Sequence, residues 1–183
     1  MVMSVPLKSS ATVTFLKQEM LLLLMFRTKM KTREELQQIV EKLKKQGKTI
    51  VTTNGSFDLL HMGHVETFFE AKKQGDVLIV GVNSDASVKR YKSPDRPLIP
   101  EEDRAGMIAA LSCVDYVTIF DEDDPRALLG VLKPHIHIKS KSGYKGIEEE
   151  TVVKHGGRIV LLDDVPGKST TQLIEKILKV YKK

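Results

Sequence analysis

From residue 32 onward, apolar positions fall into two alternating rhythms. Thr32-Arg-Glu-Glu35 has the form of a capping box, and Leu36, Ile39, Val40 and Leu43 follow at helical spacing until Gly47 stops the run. Residues 49–53 are short and β-branched and predict a first buried strand. The turn Asn54-Gly-Ser-Phe-Asp58 breaks it, and a helix is predicted over 64–74. A second apolar run at 77–82 lies between Gly75-Asp76 and the turn Asn83-Ser-Asp85. Helices are then predicted over 101–111, 125–132, 148–155 and 170–181, with strands over 115–120, 135–139 and 158–162.

Five short apolar strands separated by helices require crossover connections, hence a parallel sheet covered on both faces. The predicted fold is one doubly wound, Rossmann-like α/β domain over residues 30–183. Such sheets bind ligands beyond the carboxyl ends of the strands, where strand order reverses, so the strand-to-helix junctions are where chemistry is expected.

Residues 1–29 fall outside this rhythm. Their apolar run, 20–26, is seven residues long against the ~18 needed to span a bilayer. Glu19 before it and Phe26-Arg-Thr-Lys29 after it do not suit a signal peptide, so the segment is expected to be a dispensable extension, with a docking or anchoring role as the alternative.

With 183 residues, 41% apolar and 29% charged, the chain has the composition of a globular domain rather than a disordered or membrane protein. A net charge of +5 suits anionic ligands. Dispersed basic residues, few aromatics and no Trp argue against nucleic acid. Cys113, the single cysteine, lies in the apolar stretch 108–114 and reads as a core residue of a cytoplasmic protein.

The first junction, Gly55-Ser-Phe-Asp58-Leu-Leu-His61-Met-Gly63-His64, carries the clearest chemistry. Two histidines at i and i+3, at or just before a helix N-terminus, bring ring donors to a place where unsatisfied amides already favour an anion. Gly63 permits close backbone approach. A triphosphate held there would meet both imidazoles, which would stabilise charge as pyrophosphate leaves. A helix cap plus one exposed histidine is the plain alternative. Zinc lacks partners, since only His135, His137, His155 and Cys113 remain. His135 and His137 alternate along a strand and read as packing or edge residues. The acidic cluster Asp121-Glu-Asp-Asp124 reads as a solvated loop and helix start.

The pattern Gly55-x-Phe-Asp-x-x-His-x-Gly-His64 resembles the signature of the cytidylyltransferase-like nucleotidyltransferases. Asn83-Ser-Asp-Ala-Ser-Val-Lys-Arg90, Arg96-Pro97, Glu102-Asp-Arg104 and Gly167-Lys-Ser-Thr-Thr171 extend the likeness over residues 33–180, to the adenylyltransferase domain of bacterial ADP-heptose synthases. That resemblance implies transfer of AMP from ATP to a sugar 1-phosphate, a heptose 1-phosphate first, for lipopolysaccharide precursors. A cytidylyltransferase acting on glycerol 3-phosphate or another polyol phosphate is the nearest rival, and a nucleotide-binding regulatory domain without turnover is a rival of another class. The family domain is often fused to a sugar kinase, which implies a separate kinase as companion here; oligomeric state is left open.

On this reading His61, His64 and Lys89 are the catalytic candidates. Asn54, Gly55, Ser56, Phe57, Gly63, His64, Arg104, Ser169, Thr170 and Thr171 would hold the nucleotide. Asp58, Lys89, Arg90, Lys92, Arg96 and Lys139 would hold the sugar phosphate. Lys89 is the leading phosphate ligand of a loop at 89–92; for Arg104 an ion pair on the helix surface competes. Ser169-Thr-Thr171 is expected both to cap the last helix and to form a second phosphate cradle. No protein metal site is expected, magnesium arriving with the nucleotide. One departure stands out: the family's Lys-Gly-Gly-Asp-Tyr loop is here Lys139-Ser-Lys-Ser-Gly-Tyr144, longer and without the acid. It bears on substrate or base preference, not on reaction type.

Overall fold

The computed structural model describes residues 27–181; the apolar run at 20–26, and with it nearly all of the expected extension, lies outside the described residues. Helix α1 (Arg33–Lys45) opens the domain, and its capping box is formed: Thr32 Oγ1 accepts from Glu35 N at 3.2 Å while Glu35 Oε2 accepts from Thr32 N at 2.8 Å. Then follow β1 (Ile50–Gly55), α2 (Met62–Lys72), β2 (Val77–Asn83), α3 (Asp85–Tyr91), α4 (Glu101–Ala109) and β3 (Tyr116–Phe120). The chain continues with α5 (Arg126–Leu132), β4 (Ile136–Ser140), α6 (Glu149–Lys154), β5 (Arg158–Leu162) and α7 (Thr170–Tyr181).

All four strand pairings are parallel, in the order β3-β2-β1-β4-β5. Register is set by burial on both faces. Ile50 and Ile79 point to one side, with Leu36 and Val40 of α1 and Leu128 and Leu132 of α5. Val51, Leu78 and Val80 point to the other, with Phe68 of α2 and Ile108 of α4. A one-residue slip would exchange these sets and strand both. Cys113 is buried in the second set, as a core residue.

Met30 bridges to Val117 while Lys31 N donates to Val117 O at 2.9 Å. One element differs from expectation. Residues 85–91 form α3, capped by Ser84 Oγ on Ser87 N, so Lys89 and Arg90 sit on a helix rather than in a loop. No helix among the described residues is long and apolar enough to cross a membrane.

Strand order reverses between β1 and β4, which are neighbours although α2, β2, α3, α4, β3 and α5 intervene in sequence. Asn54 and Gly55 end β1, Lys139 and Ser140 end β4, and a crevice opens between them.

Candidate active site

A cleft of about 330 Å³ lies at this switch point. Its walls include Asn54, Gly55, Ser56 and Phe57 after β1, His64 of α2, Lys92 after α3, and Lys139 of β4. A larger hollow of about 1020 Å³, between the start of α1 and the end of β3, has neither His61 nor His64 in its lining. Charged groups there are engaged with one another, Arg33 with Glu122 and Arg90 with Asp123, each at 2.6 Å.

Local backbone explains the histidine geometry. Phe57 takes φ of 47°, a left-handed conformation costly for a bulky residue and tolerated where surroundings over-determine it. Its ring folds back to 3.0 Å from where a Cβ on Gly55 would stand, so a side chain there would press on the ring. The same ring meets His64 edge-on at 5.3 Å and Phe68 at 5.1 Å. His61 is the N-cap of α2, with extended backbone and no side-chain cap bond, so its ring is not spent on capping. It stacks on His64 with centroids 3.8 Å apart and planes 20° from parallel.

Burial pushes His64 down to about 4, helped by His61 and then Lys92. His61 is lowered too, by burial first and then by Lys168. Both rings are therefore neutral at pH 7. The Nδ1 atoms of both are buried and have no hydrogen-bond partner among the described residues. Two neutral imidazoles with uncommitted nitrogens at a helix N-terminus are suited to meet an anionic ligand as hydrogen-bond donors.

Gly63 brings the last junction close. A Cβ there would stand 2.9 Å from Lys168 O, so α2 can approach the chain before α7 only without a side chain. Ser169 caps α7, its Oγ accepting from Gln172 N at 3.2 Å, and Thr170 and Thr171 begin that helix. The capping part of the reading of Ser169-Thr-Thr171 is thus seen directly.

The cations are distributed otherwise than predicted. Lys92 lines the cleft, with Nζ donating to Ser56 Oγ at 2.7 Å. Its ammonium end is partly buried although the side chain as a whole is exposed, and burial, then Arg96, lowers its pKa. Lys89, the expected leading ligand, is exposed on α3 and does not line the cleft. Arg90 faces the loop after β3, donating to Asp123 Oδ1 at 2.6 Å and to Asp121 O. The acidic cluster is correspondingly a braced loop rather than a merely solvated one.

Two further residues take structural positions. Asp58 is 2% exposed, its Oδ1 accepts from Leu98 N at 2.7 Å and Ile99 N at 3.0 Å, and its Oδ2 lies 2.9 Å from Arg96 Nε. Asp58 and Arg96 therefore fasten residues 96–99 to the end of β1. Arg104 is 0% exposed and donates to Ile99 O at 2.8 Å, Ser56 O, and Asp85 Oδ1 at 2.7 Å. It is neither a phosphate fork nor a helix-surface ion pair, because its guanidinium is enclosed and engaged by three chain segments.

At the opposite wall, Lys139 Nζ donates to Asn54 Oδ1 at 3.3 Å and lies 3.2 Å from Glu148 Oε1. Glu148 went unnoticed in sequence: it begins the run Glu148-Glu-Glu150, which looks like a solvated helix start, yet it is 2% exposed. His137 is buried, pairs with Thr52 Oγ1 at 2.9 Å and is held down to about 3 by burial. His135 Nδ1 accepts from Ile50 N at 2.8 Å. Both are packing or edge residues, as their alternation suggested. Among the described residues no three His, Cys, Asp or Glu side chains form a group able to hold a metal ion.

Residues 52–177 match the cytidylyltransferase-like family model. The chain belongs to this family. It is 47% identical over 156 residues to the bifunctional protein HldE of Syntrophotalea carbinolica and 50% identical over 157 residues to that of Geobacter metallireducens. Each match covers 84% of this chain and 32% of the relative, so the chain spans about a third of the length of the curated relatives it matches. Among solved structures, a lipopolysaccharide core biosynthesis protein from Thermoplasma volcanium is 27% identical, with a TM-score of 0.55 over 65% of this chain and 98% of that one. A pantoate–β-alanine ligase from Francisella tularensis, 17% identical with a TM-score of 0.53 over 84% of this chain and 78% of that one, shares the fold. The nucleotidyltransferase assignment drawn from the His61–His64 motif holds.

Proposed function

We propose that this domain transfers AMP from ATP to a sugar 1-phosphate, a heptose 1-phosphate first among candidates, giving an ADP-sugar and pyrophosphate. The observation that carries the reading is the stacked, neutral His61–His64 pair at the start of α2, beside a cleft lined by Lys92 and Lys139. A phosphate oxygen of the sugar attacks the α-phosphorus of ATP in line, and the bond to pyrophosphate breaks. Positioning and charge neutralisation suffice, with no covalent enzyme intermediate.

His61 and His64 donate N–H to the oxygens that gain charge. Lys92 holds phosphate at one end of the cleft, and the amides and hydroxyls at 169–171 face the triphosphate from the start of α7. Asn54, Gly55, Ser56 and Phe57 form the floor. Asp58 is committed to Arg96 and two amides, which fits magnesium entering on the triphosphate, where it would neutralise phosphate charge, rather than on a protein carboxylate cluster. The sugar 1-phosphate is a product of sugar kinase chemistry, so a kinase acting upstream is part of the proposal. The relatives' name, bifunctional protein HldE, is consistent with it.

A pyrophosphate-release screen of ATP and CTP against heptose 1-phosphate, hexose 1-phosphates and glycerol 3-phosphate tests this. ATP with a sugar 1-phosphate should give the highest kcat/KM, and His61→Ala and His64→Ala should each lower turnover about 100-fold or more in a folded protein. A higher value for CTP with glycerol 3-phosphate rejects the sugar reading; no pyrophosphate release with any pair rejects turnover.

A further inference from the structure

We infer that Glu148 reads a substrate hydroxyl, its free carboxylate oxygen acting as a hydrogen-bond acceptor at the end of the cleft away from the phosphates. The inference deepens the function proposed above and rests on it for the identity of the substrates. Glu148 lines the same cleft as His64 and Lys92, and its side chain is 3% exposed. Oε1 lies 3.2 Å from Lys139 Nζ, whereas Oε2 is buried without a hydrogen-bond partner among the described residues. An unpaired buried carboxylate oxygen costs free energy and calls for a ligand or another compensating group.

Charge decides what that ligand carries. A carboxylate repels phosphate, so the triphosphate belongs with Lys92 and His64, and the partner of Oε2 is a neutral donor. The bound molecules supply such donors as hydroxyls, on the ribose of the nucleotide or on the acceptor sugar. Ile147 beside Glu148 adds an apolar wall, which strengthens a hydrogen bond by excluding water.

The test is Glu148→Gln in the full chain. Its amide oxygen can keep the contact with Lys139, and its NH2 then stands where Oε2 stood, a donor facing a donor. Calorimetry gives Kd for ATP, 2′-deoxy-ATP and 3′-deoxy-ATP, and for heptose 1-phosphate and its deoxy analogues, in wild type and variant. One hydroxyl should lose at least 10-fold in affinity when deleted from the ligand and little further in the variant; which series shows it names the source. Equal losses for every ligand in the variant would make Glu148 only a brace for Lys139 and overturn the inference. Because the wild-type scan alone reveals the critical hydroxyl, a variant that fails to fold leaves the inference open to refutation: a wild type indifferent to every deletion refutes it. ATP binding with no turnover on any sugar would sink the proposed function while the nucleotide arm still reported on Glu148.

Discussion

His64 links the site to acid stability. Its folded pKa of about 4 lies below the ordinary value of 6.5 because burial penalises the imidazolium, with His61 and Lys92 adding repulsion. The unfolded chain therefore binds a proton that the folded chain refuses between those two values. Stability from this group is complete above pH 6.5 and declines as pH falls toward 4. At 1.36 kcal/mol per unit, the loss is about 2 kcal/mol by pH 5 and about 3 kcal/mol by pH 4. Urea denaturation of wild type and His64→Asn at several pH values isolates it, since the remaining groups cancel in the difference. The wild type should lose about 2 kcal/mol relative to His64→Asn between pH 7 and pH 5. Parallel curves for the two proteins would mean that His64 charges as readily folded as unfolded, and the neutral-donor role would fall with that result.

Two other outcomes follow from the placement of the cations. Lys92→Ala should raise KM for the nucleotide about 10-fold, while exposed Lys89→Ala stays within about 2-fold; steady-state kinetics with ATP reverses the assignment if Lys89 proves the more sensitive. Arg104→Met should destabilise the fold by about 3 kcal/mol, toward the lower end for breaking a buried ion pair because Asp85 keeps some solvent contact. Denaturant midpoints check this, and an unchanged midpoint would show that the three acceptors are satisfied without the guanidinium.

The sheet was legible because burial on both faces writes strands as short apolar runs, and each run falls within two residues of an observed strand. Helix α3 was not, because Ser84 and Asp85 signal a turn and a helix cap with the same residues. The His61–His64 pair was legible from spacing alone. Arg104, Asp58 and Glu148 were not, since nothing in a sequence separates a charge that faces a ligand from one enclosed by its own chain. Pairing decides that, and Arg104's partners Asp85 and Ser56 lie 19 and 48 residues away in sequence, so they meet it only once the fold exists. Lys92 over Lys89 turned on where one short helix ends.

The clamp made by Arg104 gives the two rims of the cleft different histories. Residues 56, 85 and 99 are locked together by one enclosed guanidinium, so the order of the phosphate-side rim is established during folding, and little entropy is left to lose there when a triphosphate arrives. The opposite rim, residues 141–147, is held by exposed contacts such as Ser142 on Asp164 and Tyr144 on Glu149. A change of sequence there leaves the locked rim untouched. Such an enzyme can change what it recognises while keeping how it reacts, because the two tasks rest on parts of the chain that do not share a brace.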